Sequence, residues 1–306
     1  MTGASDKGYF TEADSAEVVI GRNDPTKNPR LAEVMAVIVR HLHAAVKEIE
    51  PTQEEWFAAI QFLTKTGHTC TDWRQEFILL SDILGVSMLV DAINSRRPTG
   101  ATENTVLGPF HVADAPVLAN GANICLDQKG EPMVVRGRVT DVVTGKPLAG
   151  VKLDVWQAND EGFYDVQQKG IQPDFNLRGV FRTDEDGSYW FRGVKPRFYP
   201  IPDDGPVGQL LGKLGRHPFR PAHLHFIVEA DGYDRLTTHI FDPNDQYISS
   251  DTVFGVKESL LAEFRLTDDP ERAEQLGVAN PFYDVEFNFA LARSGDPERS
   301  NATPVV

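Results

Sequence analysis

The spacing of apolar residues divides the chain into a helical first third and a β-rich remainder. Over residues 31–46 an apolar residue recurs every three or four positions, which is the period of an amphipathic helix. A second helix is predicted after Pro51, because Thr52 and Glu55 have the spacing of a capping box. A third pattern over residues 72–93 predicts one further helix.

From residue 105 onward, short alternating segments are separated by Gly, Pro and Asp, as expected for strands joined by turns. The clearest alternating segments are 134–139, 151–156, 224–228 and 237–241. This spacing predicts an antiparallel sandwich or barrel. A last helical pattern covers residues 256–264. We therefore expect an α+β protein in which an N-terminal helical module, residues 1–104, packs on an antiparallel β-sandwich domain, residues 105–306.

Composition narrows the class of protein. Of the 306 residues, 41% are hydrophobic and 25% charged, which is typical of a soluble globular protein, and the formal charge of -15 argues against a nucleic-acid surface. Cys70 and Cys125 are too few for a disulfide framework, so a reducing compartment is expected. The sequence has no signal-peptide pattern and no apolar run of membrane-spanning length. We therefore expect a cytoplasmic protein that neither inserts into a membrane nor binds nucleic acid.

Four residues of the β-rich part are candidate metal ligands. Tyr164 and Tyr199 stand in Gly- and Pro-rich contexts beside predicted strands, and His223 and His225 share one strand, where positions i and i+2 face the same side. Phenolate and imidazole donors suit Fe(III), whereas cysteine or carboxylate ligands would indicate zinc or ferrous iron. Taken singly, each tyrosine is more often a packing residue, and a His-x-His pair also fits a solvated strand face.

Arg220 precedes this pair by three residues and is the candidate for a local positive charge. A guanidinium beside the metal would stabilise an anionic substrate ring and the charge that develops on it. On sequence alone, an arginine at such a position is more often an ordinary surface residue.

These segments together resemble the intradiol ring-cleavage dioxygenases, the catechol 1,2-dioxygenase group. The motifs that carry the resemblance are Gly108-Pro109-Phe110, Gly162-x-Tyr164-Asp165, Tyr199-Pro200-Ile201-Pro202 and Arg220-Pro221-Ala222-His223-Leu224-His225. Because the N-terminal helical module matches as well, the resemblance covers nearly the whole chain. Within the family, the segment 104–116 looks most like the hydroxyquinol 1,2-dioxygenase branch.

The resemblance implies one Fe(III) per chain, bound by Tyr164, Tyr199, His223 and His225. It implies that Tyr199 leaves the metal and acts as a base, and that Arg220 stabilises the electron-rich ring. The substrate-contacting residues that it implies are Leu79, Asp82, Val106, Leu107, Gly108, Pro109, Phe110, Ile201, Pro202, Arg220, His239 and Val253. Asp82 suits that role physically, because a carboxylate accepts a hydrogen bond from the third hydroxyl of benzene-1,2,4-triol. His239 stands where several catechol-cleaving relatives have Gln.

The implied reaction, in aromatic compound degradation, is intradiol cleavage of hydroxyquinol by dioxygen to 3-hydroxy-cis,cis-muconate, the enol of maleylacetate. A catechol or chlorocatechol 1,2-dioxygenase is the alternative with the same iron centre. Two alternatives of other classes are a non-catalytic β-sandwich binding module with a vestigial metal site and a ferrous extradiol enzyme of the cupin type. The resemblance further implies a homodimer through the N-terminal helices and, as an additional option, a lipid bound between them. The apolar stripe over residues 31–46 fits such an interface and fits a core-facing helix equally well.

Overall fold

The structure, a computed structural model, describes residues 9–72 and 74–295. It forms two compact units that divide between His68 and Thr69. The first unit contains the helices α1 (Ser15–Ile20), α2 (Pro29–Ile49) and α3 (Gln53–Thr69). The predicted domain boundary after residue 104 stays a prediction.

The starts of α2 and α3 follow from local sequence. The Asn28 side chain accepts a hydrogen bond from the Leu31 amide, and Pro29 occupies the first helical position. Thr52 and Glu55 form the predicted capping box, since each side chain accepts a hydrogen bond from the other's amide, at 2.8 and 3.2 Å.

Among its described residues, the second unit contains the short helices α4 (Glu76–Ile83), α5 (Val86–Asn94), α6 (Pro206–Lys213) and α7 (Pro270–Leu276). The prediction of one helix over residues 72–93 was wrong. Gly85 lies between α4 and α5 with a φ of 73°, a left-handed conformation that ends the first helix and that glycine adopts without steric cost.

The strands are β1 (Pro132–Asp141), β2 (Lys152–Gln157), β3 (Arg178–Arg182), β4 (Ser188–Val194), β5 (Tyr199–Pro200), β6 (Phe219–Arg220), β7 (His223–Glu229), β8 (Leu236–Phe241), β9 (Phe264–Thr267), β10 (Phe282–Glu286) and β11 (Phe289–Leu291). One sheet has the order β11-β1-β10-β9, with β4 also paired to β1, and the other has the order β3-β2-β7-β8. Strands β5 and β6 form a separate two-stranded ribbon. The predicted α+β class with a β-sandwich is confirmed.

Two details differ from the sequence-based expectation. The first sheet is mixed, because β1 runs parallel to both β10 and β11. The helix predicted over residues 256–264 was wrong, since only residues 258–260 form a 3-10 turn, followed by β9. Leu260, Ala262 and Phe264 are buried in alternation, which is the period of extended chain rather than that of a helix.

The main core lies between the two sheets. Alternate positions of the strands supply it, among them Val135, Val139, Leu153, Val155, Phe181, Phe191, Leu224, Phe226, Val228, Val285 and Phe289. A second buried cluster includes Trp156, Tyr164, Tyr199 and Ile227. Because Trp156 and Ile227 alternate with core residues along β2 and β7, this second cluster lies on the outer face of the β3-β2-β7-β8 sheet.

Candidate metal centre and ring pocket

The alternation of β7 directs two imidazoles away from the main core. Leu224, Phe226 and Val228 join the core between the sheets, so His223 and His225 face the other side. Both histidines are at least 98% buried, and their Nε2 atoms lie 3.1 Å apart. The strand therefore places the two ring nitrogens side by side in a space closed to bulk water.

A row of three rings crosses this outer face. Trp156 on β2, His225 on β7 and His239 on β8 are direct cross-strand neighbours. The Trp156 and His225 rings are stacked with centroids 4.5 Å apart, and the His239 ring meets His225 edge-on at 4.2 Å. The Nδ1 atom of His239 lies 3.0 Å from the Thr105 hydroxyl, which fixes the orientation of this third imidazole.

A glycine allows the two tyrosines to approach each other. Gly162 has a φ of 88°, and a Cβ atom there would lie 2.9 Å from the Phe198 carbonyl oxygen and 3.1 Å from the Cβ of Tyr199. A side chain at position 162 would therefore separate the segment that carries Tyr164 from the one that carries Tyr199. With glycine in place, the two phenol oxygens lie 3.4 Å apart.

Two contacts position Tyr164: the buried ion pair that its neighbour Asp165 forms with Arg178, and an aromatic ring stacked on its phenol ring. The Asp165 carboxylate accepts hydrogen bonds from Nε and Nη2 of Arg178 at 2.8 and 2.5 Å, and both side chains are buried. Phe110 stacks on the Tyr164 ring with centroids 4.5 Å apart. These contacts fix the backbone beside Tyr164 and the plane of its ring.

Four donor atoms form a closed ring of neighbours at this site. The Tyr164 hydroxyl lies 2.9 Å from Nε2 of His225, and the Tyr199 hydroxyl lies 3.5 Å from Nε2 of His223. With the His–His and Tyr–Tyr separations, the four distances run from 2.9 to 3.5 Å. Atoms about 2.1 Å from one common ion and roughly at right angles to each other lie about 3 Å apart. The arrangement therefore fits a single metal ion.

The protonation of the ligands also fits a cation. The Pro221 carbonyl oxygen lies 2.7 Å from Nδ1 of His223 and accepts its proton, which leaves the Nε2 lone pair free to bind a metal. Burial lowers the pKa of His223 and His225 well below the usual range, so both rings are neutral, the form of imidazole that can bind a metal. Burial raises the pKa of Tyr164 well above its usual range, and Tyr199 adds to this, while Arg220 and Arg178 act against it. A phenolate here thus needs a nearby positive charge, which a bound metal ion would supply.

His239 provides a third imidazole beside the pair. Nitrogen atoms of His223, His225 and His239 all lie within 4.8 Å of one another. The tyrosine hydroxyls lie closer to the Nε2 atoms of the first two histidines, at 2.9 and 3.5 Å, and complete the ring of donors with them. This places His239 beside the donor ring rather than in it.

Arg220 brings a buried positive charge to the same place. It stands on β6 directly opposite Tyr199 on β5, and its Nη1 lies 3.4 Å from Nε2 of His223. Burial alone would lower the pKa of its guanidinium, but Asp251 and Tyr199 outweigh that effect and raise this pKa above its usual range. Arg220 therefore stays charged within the site.

The predicted substrate-contacting residues come from several segments of the second unit. Gly108 lies against the site, since a Cβ atom there would be 3.2 Å from Cε1 of His225. Leu79 and Asp82 are half-buried on α4, and the charge of Asp82 interacts with that of Arg220. Val253 is buried. The remaining predicted residues are the half-buried Val106 and Phe110, the exposed Leu107, Pro109 and Pro202, and the buried Ile201.

Sequence reasoning missed several residues that contact the site residues. Trp156 had a readable signal, because alternation on β2 places it on the face opposite Val155. The contacts of Thr105 with His239, of Arg178 with Asp165 and of Asp251 with Arg220 could not be read from the sequence. The partners lie 134, 13 and 31 positions apart, respectively.

Comparisons with known proteins place the chain among dioxygenases. Residues 106–293 match a family model described as Dioxygenase, and residues 28–102 match one described as Catechol dioxygenase N terminus.

Across the described residues, no helix has the length and apolar character needed to cross a membrane.

The similar proteins include dioxygenases whose structures have been solved. The chain is 67% identical to the hydroxyquinol 1,2-dioxygenase of a Rhizobium species over 294 residues, which is 96% of this chain and 99% of that protein. The crystal structure of hydroxyquinol 1,2-dioxygenase from Pseudomonas putida matches with a TM-score of 0.86 and 46% identity over 92% of this chain and 98% of the other. Catechol 1,2-dioxygenase from Acinetobacter radioresistens matches with a TM-score of 0.80 and 29% identity over 94% and 95% of the two chains.

Proposed function

We propose that this chain, which belongs to the intradiol ring-cleavage dioxygenase family, cleaves hydroxyquinol with dioxygen to give 3-hydroxy-cis,cis-muconate, the enol of maleylacetate. The observation that carries the proposal is the closed ring formed by the donor atoms of Tyr164, Tyr199, His223 and His225, with neighbouring atoms 2.9–3.5 Å apart. The 67% identity to a hydroxyquinol 1,2-dioxygenase, against 38% to the catechol 1,2-dioxygenase of Candida albicans, favours the triol as substrate.

The family uses non-haem iron, and we propose Fe(III), one per chain, for this site. Two phenolates and two neutral imidazoles form a hard, dianionic donor set that favours the trivalent ion. When bound, the ferric ion acts as a Lewis acid toward the two oxygens of a vicinal diol. A ferrous extradiol centre would instead be expected to use a carboxylate ligand.

Within this proposal each protein group has a separate task. Tyr199 accepts a proton from one hydroxyl of the incoming diol, and the neighbouring Arg220 favours the anionic form of the ring oxygen. Because both side chains are buried, the guanidinium acts in a water-poor environment, where its interaction with developing negative charge is strengthened. Asp82 accepts a hydrogen bond from the third hydroxyl, which only the triol has.

The assembly is proposed on separate grounds. Along α2, Leu31, Leu42 and Val46 are each more than half exposed, and Trp56 and Phe57 on α3 are as well. Apolar residues in such number on one unit favour burial against a second copy, and we propose a homodimer through these helices with a lipid bound between them. Sedimentation should give a dimer for the wild type and a monomer for Leu42→Glu. A monomeric wild type would contradict the dimer, and lipid extraction tests the bound lipid.

The cytoplasmic location stays a prediction that cell fractionation tests.

The first test is oxygen uptake by the purified, iron-loaded protein with hydroxyquinol, catechol and a chlorocatechol side by side, after subtraction of autoxidation. We expect a strong preference for hydroxyquinol and maleylacetate as the product. Faster oxygen uptake with catechol than with hydroxyquinol would be compatible with the proposed iron centre. It would refute hydroxyquinol as the preferred substrate.

The second test is colour. Tyrosinate-to-Fe(III) charge transfer should make the loaded protein red, and Tyr164→Phe should alter the absorption band. Tyr189→Phe is the matched control, because Tyr189 is equally buried and its hydroxyl donates to the Phe287 carbonyl oxygen in the main core. A colourless protein with full iron content would contradict the proposal that the tyrosines bind the metal.

A further inference from the structure

Asp251 is a buried carboxylate whose two oxygens both accept hydrogen bonds. Oδ1 accepts from Nε of Arg220 at 3.2 Å and from the Val253 amide at 3.3 Å. Oδ2 accepts from Nη2 of Arg220 at 3.4 Å and from the Gly255 amide at 2.9 Å. Its side chain is 2% exposed, so these four donors replace water around a full negative charge.

This contact determines which way Arg220 points. A guanidinium is planar, and holding Nε and Nη2 on one carboxylate fixes that plane and leaves Nη1 as the free corner of the fork. In this arrangement Nη1 lies 3.4 Å from Nε2 of His223, at the edge of the donor ring. The backbone of Arg220 is fixed separately by its pairing with Tyr199.

The chain after Asp251 closes tightly over the ion pair. A Cβ atom at Gly255 would lie 2.8 Å from Nη2 of Arg220 and 3.1 Å from Oδ2 of Asp251, so a larger residue would displace one of the two groups. Phe254 adopts a φ of 60°, a conformation that is rare for a non-glycine residue. The hydrogen bonds from the flanking Val253 and Gly255 amides to Asp251 hold the backbone in this conformation.

The same turn carries one wall of the proposed ring pocket. Val253 is buried and its amide donates to Asp251, so the carboxylate fixes its backbone as well as the arginine. Arg216 braces the turn from the other side, because its guanidinium donates to the carbonyl oxygens of Thr252 and Ile83 at 2.9 and 2.6 Å. Ile83 follows Asp82 on α4, and the charge of Asp82 interacts with those of both Arg220 and Asp251.

We propose that Asp251 is a positioning residue that aims the Arg220 guanidinium at the reacting ring and fixes the pocket wall at Val253. The inference rests on the proposed function, since it assigns Arg220 the task of stabilising the ring. Asp251 adds no positive charge to the site. Its effect is to fix the positively charged Arg220 guanidinium, which would otherwise rotate or become hydrated.

The experiment compares Asp251→Asn with the wild type and with a matched control. The asparagine amide has nearly the shape of the aspartate carboxylate. Its NH2 group, however, would place one hydrogen-bond donor against another, either the Gly255 amide or the Arg220 guanidinium. Asp141→Asn is the control, because Asp141 is equally buried on the other sheet and accepts hydrogen bonds from Arg293, Tyr233 and two backbone amides. Folding and iron content are measured first for all variants.

For Asp251→Asn we expect kcat for hydroxyquinol to fall about 10- to 100-fold, somewhat less than the roughly 100- to 1000-fold cost of removing a charge-stabilising donor outright. Asp141→Asn should leave kcat unchanged. Asp251→Glu, which restores the charge at a different reach, should recover part of the loss. An unchanged kcat in Asp251→Asn would overturn the proposal.

A double-mutant cycle decides whether Asp251 acts through the arginine. In an Arg220→Gln background, Asp251→Asn should lower kcat less than about threefold, because the group it aims is already gone. Fully additive losses would make Asp251 merely structural and overturn the proposal. The same cycle is repeated on the affinity for 4-nitrocatechol without oxygen, read from visible absorption, as a measurement independent of turnover.

Failure of the proposed function is distinguishable from failure of this inference. A wild type that consumes oxygen with none of the diols tested overturns both. An active wild type with additive cycles overturns the positioning role alone.

Discussion

The indole of Trp156 lies parallel to the imidazole of His225, with ring centroids 4.5 Å apart and an angle of 13° between the planes. The two residues are direct neighbours across β2 and β7, so the sheet itself sets this stacking. The backbone of Gly108 passes close to Cε1 of the same imidazole. The orientation of one proposed iron ligand is therefore set by packing.

Replacing Trp156 by Leu should weaken iron retention as well as stability. The loss of a fully buried aromatic ring costs up to about 3–5 kcal/mol of unfolding free energy, and the imidazole loses the surface that orients it. We expect faster iron loss to a chelator than in the wild type. Trp156→Phe keeps a planar ring and should lose iron more slowly than Trp156→Leu.

Phe191→Leu is the control for this experiment, since Phe191 is fully buried in the main core. It should lower stability without changing the rate of iron loss. Equal rates of iron loss in Trp156→Leu and the wild type would contradict the orienting role.

Replacing Tyr199 by Phe should separate iron binding from turnover. Three donors of the ring remain, so the variant should retain part of its iron, while the group that accepts the substrate proton is lost. We expect at least about a 100-fold fall in kcat, the lower range for loss of a general base. Iron content by atomic absorption and oxygen uptake on the same sample check this, and full activity would refute the role of Tyr199 as base.

Asp82→Ala should lower turnover of hydroxyquinol more than that of catechol. A hydrogen bond to a charged acceptor contributes about 1.5–3 kcal/mol, which corresponds to roughly 10- to 100-fold in the ratio of kcat/KM for the two substrates. The measurement is oxygen uptake with both substrates in parallel. An equal loss for the two would make Asp82 structural.

The same preference should depend on pH. Burial raises the pKa of Asp82, although a hydrogen bond from Ser87 and the charge of Arg220 partly oppose it. The carboxylate is therefore protonated, and loses acceptor strength, at a higher pH than an exposed aspartate would. On acidification the wild-type ratio of hydroxyquinol to catechol turnover should fall, whereas that of Asp82→Ala should stay constant.

Asp141 should make stability pH-dependent at the acid end. Burial by itself raises the pKa of Asp141, but hydrogen bonds from the Thr144 amide, Arg293 and Tyr233 outweigh it and hold the pKa below its usual range. Because the folded-state pKa is depressed, its stabilisation is fully present above the unfolded value of about 3.9 and is lost as the pH falls through the folded value.

Asp141→Asn tests this linkage by denaturant unfolding at neutral and at acid pH. We expect a loss of about 1–3 kcal/mol at neutral pH, from unpaired buried donors, and a smaller difference from the wild type in acid. Asp186→Asn is the exposed control and should change stability little at either pH. A difference that grows on acidification would show the opposite sign of linkage.

The sequence alone determined the class of the fold and the chemical identity of the proposed ligands. Alternation predicted the strands, a capping box predicted the start of α3, and i, i+2 spacing placed His223 and His225 on one face. These inferences succeed because they depend on local backbone geometry, which neighbouring residues impose. Where local pattern was ambiguous it misled, since the apolar run over residues 72–93 continues through the break at Gly85.

Only the tertiary structure decided which distant residues meet. It brought Tyr164 within 2.9 Å of His225 across 61 positions of sequence, and it placed Asp251 on Arg220 across 31. Such contacts arise from strand order, register and loop closure, which depend on the packing of the whole chain. A single sequence shows which side chains can bind a metal or hold a charge, but the distances between them exist only once the sheets are assembled.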